Sequence, residues 1–171
     1  PYAYDDGPLP IPANQTISQP YVVAYMLAAL ALRPGDRVLE IGAGSGYAAA
    51  VLSRIVGQVY TVERHAELAD YARERLAPLA YDTVRVPRGA GTRGWPDHAP
   101  SDPITVAAGG PAVPDSLRGQ LAPGGRLVMP VGRSRQQQHL VLVTRRPDGG
   151  YDEERLAPVA FVPLIGEEGW K

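Results

Sequence analysis

Three glycines at every second position, Gly42, Gly44 and Gly46, follow an acid, Glu40, in the stretch VLEIGAGSGY at residues 38–47. Glycine permits positive φ and has no Cβ to block approach, so this turn brings bare backbone N–H groups close to a ligand. Ala43, Ser45 and Tyr47 fill the turn and open the helix-compatible run behind it. A second acid, Glu63, with Arg64 beside it, ends the next apolar run, QVYTVE. A carboxylate at that edge can accept both hydrogen bonds of a ribose diol. The dinucleotide pattern Gly-x-Gly-x-x-Gly sets its third glycine one turn into the helix, beneath a pyrophosphate. A spacing of two suits a nucleoside without a phosphate.

The phosphate-free nucleoside cofactor that fits is S-adenosylmethionine, with S-adenosylhomocysteine as its product. Composition removes several rivals. The only lysine is Lys171, which excludes a P-loop lysine, Schiff-base chemistry and a tyrosine–lysine dehydrogenase pair. There is no cysteine, hence no thiolate metal site or cysteine nucleophile, and a cytoplasmic setting is expected. His65, His98 and His139 are scattered without metal-ligand spacing, so no metal is expected. A net charge of −1 gives no electrostatic footprint for nucleic acid. No apolar run reaches the ~18 residues of a membrane span, so no membrane partner is expected.

The elements that must position these residues alternate. At 171 residues the chain reads as one domain, residues 1–171. Residues 1–15 carry four prolines and no periodicity and read as an extended arm. A helix is expected from Thr16 through the apolar run ending near residue 32, with Ser18 as its N-cap and Pro20 in its first turn. Strands are expected at 37–41, 58–63, 83–86, 104–107 and 126–130. Helices are expected at 47–56, ending at Gly57 as a C-cap, at 65–76 and at 114–121. Residues 87–102 are too polar and broken by glycine and proline for a regular element. Strands at 139–145 and beyond the PDGG turn make an antiparallel hairpin. The expected fold is α/β, a mostly parallel, doubly wound sheet with a C-terminal antiparallel hairpin.

Several further stretches make the chain resemble the protein-L-isoaspartate O-methyltransferases from Leu9 onward. They are QTISQPYVVA at 15–24, VYTVER at 59–64, GGRLVMPVG at 124–132 and FVPLIG at 161–166. The resemblance implies a Rossmann-like methyltransferase that moves a methyl group from S-adenosylmethionine to the α-carboxylate of L-isoaspartyl residues in damaged proteins. It implies that Ser18 hydrogen-bonds that carboxylate, that Thr16 and Ile17 shape the pocket, and that Val162, Pro163 and Leu164 hold the substrate backbone. It also implies a monomer acting on isoaspartyl peptides and proteins, with the family's N-terminal helices absent from this stretch. For Ser18 a cap and a carboxylate contact are alternatives, since one hydroxyl proton points one way.

The sequence departs from that family at Arg88-Gly89-Ala90-Gly91, where the family carries an aspartate that accepts from adenine. Gly89 and Ala90 keep the place in the loop, but Ala90 has no acceptor. Ala80 and Ala160 replace a usual glycine and a usual arginine, and Ser101 and Pro103 flank Asp102 where an aromatic and a small residue are usual. Two other readings therefore stand beside the first: a different S-adenosylmethionine-dependent carboxylate methyltransferase of this fold, or a weakened or non-catalytic cofactor- or peptide-binding module.

Overall fold

The computed structural model describes residue 2 and residues 4–171. In chain order its elements are β1 (Leu9–Ile11), β2 (Gln15–Ile17), α1 (Pro20–Ala29), β3 (Arg37–Ile41), α2 (Tyr47–Leu52), β4 (Gln58–Val62), α3 (Ala66–Leu76), β5 (Val84–Arg85), β6 (Ser101–Val106), α4 (Asp115–Gly119), β7 (Leu121–Ser134), β8 (Gln137–Arg145) and β9 (Tyr151–Val159). Seven strands form one sheet in the order β5-β4-β3-β6-β7-β8-β9. The first five in that order run parallel. β7, β8 and β9 form an antiparallel meander. The strand order reverses between β3 and β6, which opens a crevice at their carboxyl ends.

Strand side chains alternate between faces, so Val38 and Glu40 point one way and Leu39 and Ile41 the other. The first face is covered by α1, α2 and α3, whose Val23, Leu27, Leu52 and Ala72 pack on Val38, Val59 and Val128. The second face is covered by α4 through Leu117 and by the C-terminal segment through Leu164, packed on Leu39, Ile41, Ile104 and Leu127. Burial on both faces is why the parallel strands read as nearly continuous apolar runs. Between β5 and β6, where a crossover helix would lie, the chain makes only 3₁₀ turns at Gly91–Arg93 and Pro96–His98.

Three local expectations are corrected. The arm is not simply extended: β1 and β2 pair antiparallel, Leu9 opposite Ile17 and Ile11 opposite Gln15. That pairing takes Thr16 and Ile17 away from the expected helix, which begins instead at Pro20 with Gln19 in N-cap position. The residue before proline is pushed out of the α region, and Thr16 and Ile17 are β-branched, so the helix cannot start earlier. Ser18 is consequently not the cap. The role falls to a remote residue, Asp6, whose carboxylate accepts from the Tyr21 N–H at 2.9 Å and from Gln19 Nε2 at 2.9 Å.

The second correction is α2, which ends at Leu52 and not near Val56. Gly57 has a different task, because a Cβ there would lie 3.2 Å from the Pro34 carbonyl oxygen and its N–H donates to Asp36 O at 3.2 Å. The third is β7, which starts at Leu121, five residues early. The glycine pair expected to turn the chain instead lets β7 hug β6: a Cβ on Gly125 would clash with the Asp102 carbonyl oxygen at 2.3 Å.

Candidate functional site

Gly42 leaves β3 at the crevice, and the turn behind it runs through left-handed backbone, with φ +95° at Gly42, +53° at Gly44 and +83° at Gly46. A Cβ on Gly44 would lie 3.3 Å from Ile11 Cδ1, so the arm rests directly on the turn. Gly46 faces away from the crevice. Its missing Cβ makes room for Leu76 of α3, whose Cδ1 would be 3.1 Å away.

Glu63, 5% exposed at the end of β4, ties this turn to the neighbouring strand. Its Oε2 accepts from the Gly44 N–H at 3.1 Å and its Oε1 from the His65 N–H at 2.9 Å. An ionised carboxylate offers about four lone-pair positions, so two are left for a ligand diol. The bracing of the glycine turn by Glu63 is a function that the sequence does not announce.

Glu40 is 1% exposed and stands in register with Thr61 of β4 and Thr105 of β6. Its Oε2 has no hydrogen-bond partner among the described residues. Burial pushes this carboxyl up to about 8; the neighbouring Thr61 hydroxyl opposes the rise and the nearby Glu63 charge adds to it. A buried carboxyl without a cation stays protonated at neutral pH in preference to carrying an uncompensated charge.

Two cavities open over these residues. One, of about 500 Å³, lies between the turn and α1 and is bordered by Thr16, Ile17, Ser18, Glu40, Gly42, Ala43, Gly44, Ser45 and Tyr47. Met26, Leu27, Thr105 and Phe161 also border it; none was expected as a site residue, although Phe161 opens the FVPLIG stretch. The other, of about 590 Å³, lies over the ends of β3 and β4 and is bordered by Glu63, Arg64, Val162, Pro163 and Leu164. His65, Leu68 and Gly91 join that wall. Thr16, Gly42, Gly44 and Ala107 border both cavities, which therefore form one crevice at the switch point. Neither Gly89 nor the exposed Ala90 borders it; from that loop only Gly91 does. Ala107 was findable in principle, as the residue that leaves β6 beside the glycine turn.

The far wall is the segment after β9, docked as an added parallel strand. Gly109 N–H donates to Val162 O at 2.8 Å, and Leu164 N–H donates to Gly109 O at 2.8 Å. Gln138, 2% exposed, grips the preceding residue on both sides: Phe161 N–H donates to its Oε1 at 2.9 Å and its Nε2 donates to Phe161 O at 3.1 Å. One side-chain amide thus does the work of a neighbouring strand. Trp170 Nε1 closes the wall by donating to Gly109 O at 2.9 Å.

These residues fit S-adenosylmethionine better than a dinucleotide. The Gly44 N–H, which a pyrophosphate would need, is held by a carboxylate, and a phosphate placed there would meet the Glu63 charge. A cationic, phosphate-free nucleoside meets no such conflict and brings a positive charge toward the unpartnered Glu40 oxygen.

A parallel sheet whose reversal point carries a glycine turn braced by the acid of the next strand defines a Rossmann-like, S-adenosylmethionine-dependent methyltransferase. Comparison with known proteins narrows the class. The model of the protein-L-isoaspartate(D-aspartate) O-methyltransferase family matches residues 1–169, and the chain belongs to that family. It is 61% identical over 169 residues to a protein-L-isoaspartate O-methyltransferase of Pelotomaculum thermopropionicum, covering 99% of this chain and 73% of that one. Against the enzyme of that name from Rhodopseudomonas palustris the figures are 60% over 169 residues, 99% and 78%. A solved protein-L-isoaspartate O-methyltransferase superposes with a TM-score of 0.90 at 32% identity, covering 98% of this chain and 55% of that chain. A Plasmodium falciparum structure described under the same name, in complex with S-adenosyl-L-homocysteine, superposes with a TM-score of 0.80 at 26% identity, covering 95% and 81%.

Proposed function

We propose that the chain methylates the α-carboxylate of L-isoaspartyl residues in damaged proteins, using S-adenosylmethionine. The observation that carries this reading is the single crevice in which the glycine turn, Glu63 and the Thr16–Ser18 hydroxyls meet around Ala107. When bound, the cofactor supplies a methyl group on a sulfonium, a donor that is already activated.

The acceptor makes modest demands. An α-carboxylate, with a reference pKa near ~3.5, is ionised at neutral pH, so no general base is required. The protein contributes alignment and removal of water. Ser18, freed from capping α1, donates its hydroxyl proton to the acceptor carboxylate, while Thr16 and Ile17 fix the wall on the arm side. Glu63 takes the ribose diol on its two remaining lone pairs, and Gly42, Ala43, Gly44, Ser45 and Tyr47 follow the rest of the cofactor. Glu40 faces its cationic end. Arg64 and Gly91 edge the nucleoside, and because the sequence-expected pair Gly89 and Ala90 lies outside the crevice and Ala90 has no acceptor, the hold on the nucleoside rests chiefly on Glu63. Val162 and Leu164 each commit a backbone group to Gly109. Leu164 O accepts from the Trp170 N–H, so the 162–164 segment meets the acceptor through its side chains, the Val162 N–H and the Pro163 carbonyl. A monomer acting in the cytoplasm belongs to the same proposal.

The product distinguishes this reaction from other carboxylate methylations. An ester on the isoaspartyl α-carboxyl is attacked by the following backbone nitrogen, which expels methanol and closes a succinimide. Incubating a methylated isoaspartyl peptide at neutral pH is expected to convert it to the succinimide, read by mass spectrometry as a peptide one methanol lighter than the ester and one water lighter than the unmethylated isoaspartyl peptide. An ester that persists unchanged would place the methyl on a different carboxyl group and contradict the proposal.

A further inference from the structure

A third cleft, of about 730 Å³, joins the crevice at Thr16, Ser18, Ala107 and Val162. Its floor is polar, carrying the two hydroxyls and Gln19, and its walls are Pro8 from the arm, Val22 from α1, and Pro158 to Phe161 from the end of β9. Among the described residues, no charged side chain lines it. The acid that bonds to the lining residue Gln19, Asp6, has one oxygen taken by Gln19 Nε2 and the other by the Tyr21 N–H. The wall is not a floppy edge: Pro158 lies opposite His139 in the β8–β9 ladder, and Phe161 is held at both backbone groups by Gln138.

We infer that this cleft is a specificity subsite that takes the apolar side chain of a residue flanking the isoaspartyl group. The inference rests on the acceptor reading above and names what that reading leaves open, the sequence context of the substrate. With the cofactor placed along the glycine turn and Glu63, this cleft is the approach left open to Ser18, and at Val162 it runs into the 162–164 wall that meets the acceptor. The chain on one side of the isoaspartyl residue then lies against Val22, Pro158 and Phe161. An apolar side chain placed there leaves water and gains burial. A charged side chain loses water and finds no partner in the lining, a penalty worth roughly tenfold or more in apparent affinity. The cleft therefore rejects charge of either sign, which separates it from a surface that steers acidic or basic peptides. Ala160, exposed on the rim, is the position at which one substitution changes that selectivity.

The test uses isoaspartyl peptides carrying Leu, Glu or Lys immediately before, or immediately after, the isoaspartyl residue. At one of the two positions the Leu peptide is expected to exceed both charged peptides in kcat/KM by roughly tenfold or more, expressed mainly in KM. The variant Ala160→Glu is expected to raise the Lys peptide relative to the Leu peptide at that same position, with S-adenosylhomocysteine affinity unchanged by calorimetry. Three flanks that agree within about twofold at both positions overturn the subsite and leave methyl transfer itself standing. No label in any isoaspartyl peptide, with S-adenosylhomocysteine still bound, overturns the acceptor reading and this inference with it.

Discussion

Glu63→Gln is expected to weaken S-adenosylhomocysteine binding on the order of a hundredfold, although the substitution changes neither the size nor the shape of the side chain. In the unchanged chain both carboxylate oxygens accept backbone N–H groups, Gly44 through Oε2 and His65 through Oε1. A glutamine has one oxygen, so its NH₂ group must face one of those two donors. Either the glycine turn or the start of α3 then loses its partner in a place that is 5% exposed. An orphaned buried donor costs about 1–3 kcal/mol, and the ribose diol loses one of its acceptors as well, at a similar cost. Two such losses give the hundredfold figure. Isothermal titration calorimetry measures it directly, and a change below about threefold would show that Glu63 neither braces the turn nor holds the ribose.

Glu40 sets the second large effect, on stability against pH. The unfolded chain titrates this carboxyl near its ordinary value of 4.5, while burial holds the folded value at about 8. Between those two values the folded protein keeps a proton that the unfolded chain has released. Rising pH through that window therefore favours unfolding, and the loss is complete once pH passes the folded value. The total is on the order of a few kcal/mol. Cofactor-free Glu40→Gln carries no such proton, so its denaturation midpoint is expected to fall less than that of the unchanged chain between pH 6 and about pH 8.5. Equal pH dependence in both chains would mean that Glu40 is ionised in the folded state. A cationic ligand partners the Glu40 charge, so saturating S-adenosylmethionine is expected to flatten the slope of the unchanged chain.

The features that local chemistry controls were readable in the sequence. The run from β3 through the glycine turn into α2, the acid closing β4, and the change from alternating strands and helices to a terminal hairpin each follow from periodicity and turn residues within a dozen positions. What escaped depends on contacts between distant parts of the chain. Thr16 and Ile17 run directly into the apolar stretch of α1, but pairing with Pro10 and Leu9 and the restriction before Pro20 keep them out of the helix. Asp6 caps a helix fifteen residues away from Tyr21 N–H, a distance at which no capping signature operates. Gln138 reaches across twenty-three positions to Phe161, and nothing in the run QQQ marks which glutamine is buried.

The site was legible in the same uneven way. The strand alternation that places Val38 on the α1 face places Glu40 there too, so its burial followed from period two. Its missing partner did not, because that depends on Thr61 and Thr105 lying in register on both sides. Ser18 was open between two roles in the sequence. The start of α1 at Pro20 removes one of them, since Asp6 serves the helix and the Ser18 hydroxyl borders the crevice.

The most direct test of the account is methyl transfer to a matched pair of peptides that differ only in whether one residue is L-isoaspartyl or L-aspartyl. Incubated with labelled S-adenosylmethionine, the isoaspartyl peptide is expected to take up label and its aspartyl twin none above background. Only the first presents a free α-carboxylate on a short branch, able to reach Ser18 between the arm and the Gly109-docked wall. Equal labelling of the two peptides, or no labelling of either by a chain that still binds S-adenosylhomocysteine, would contradict it.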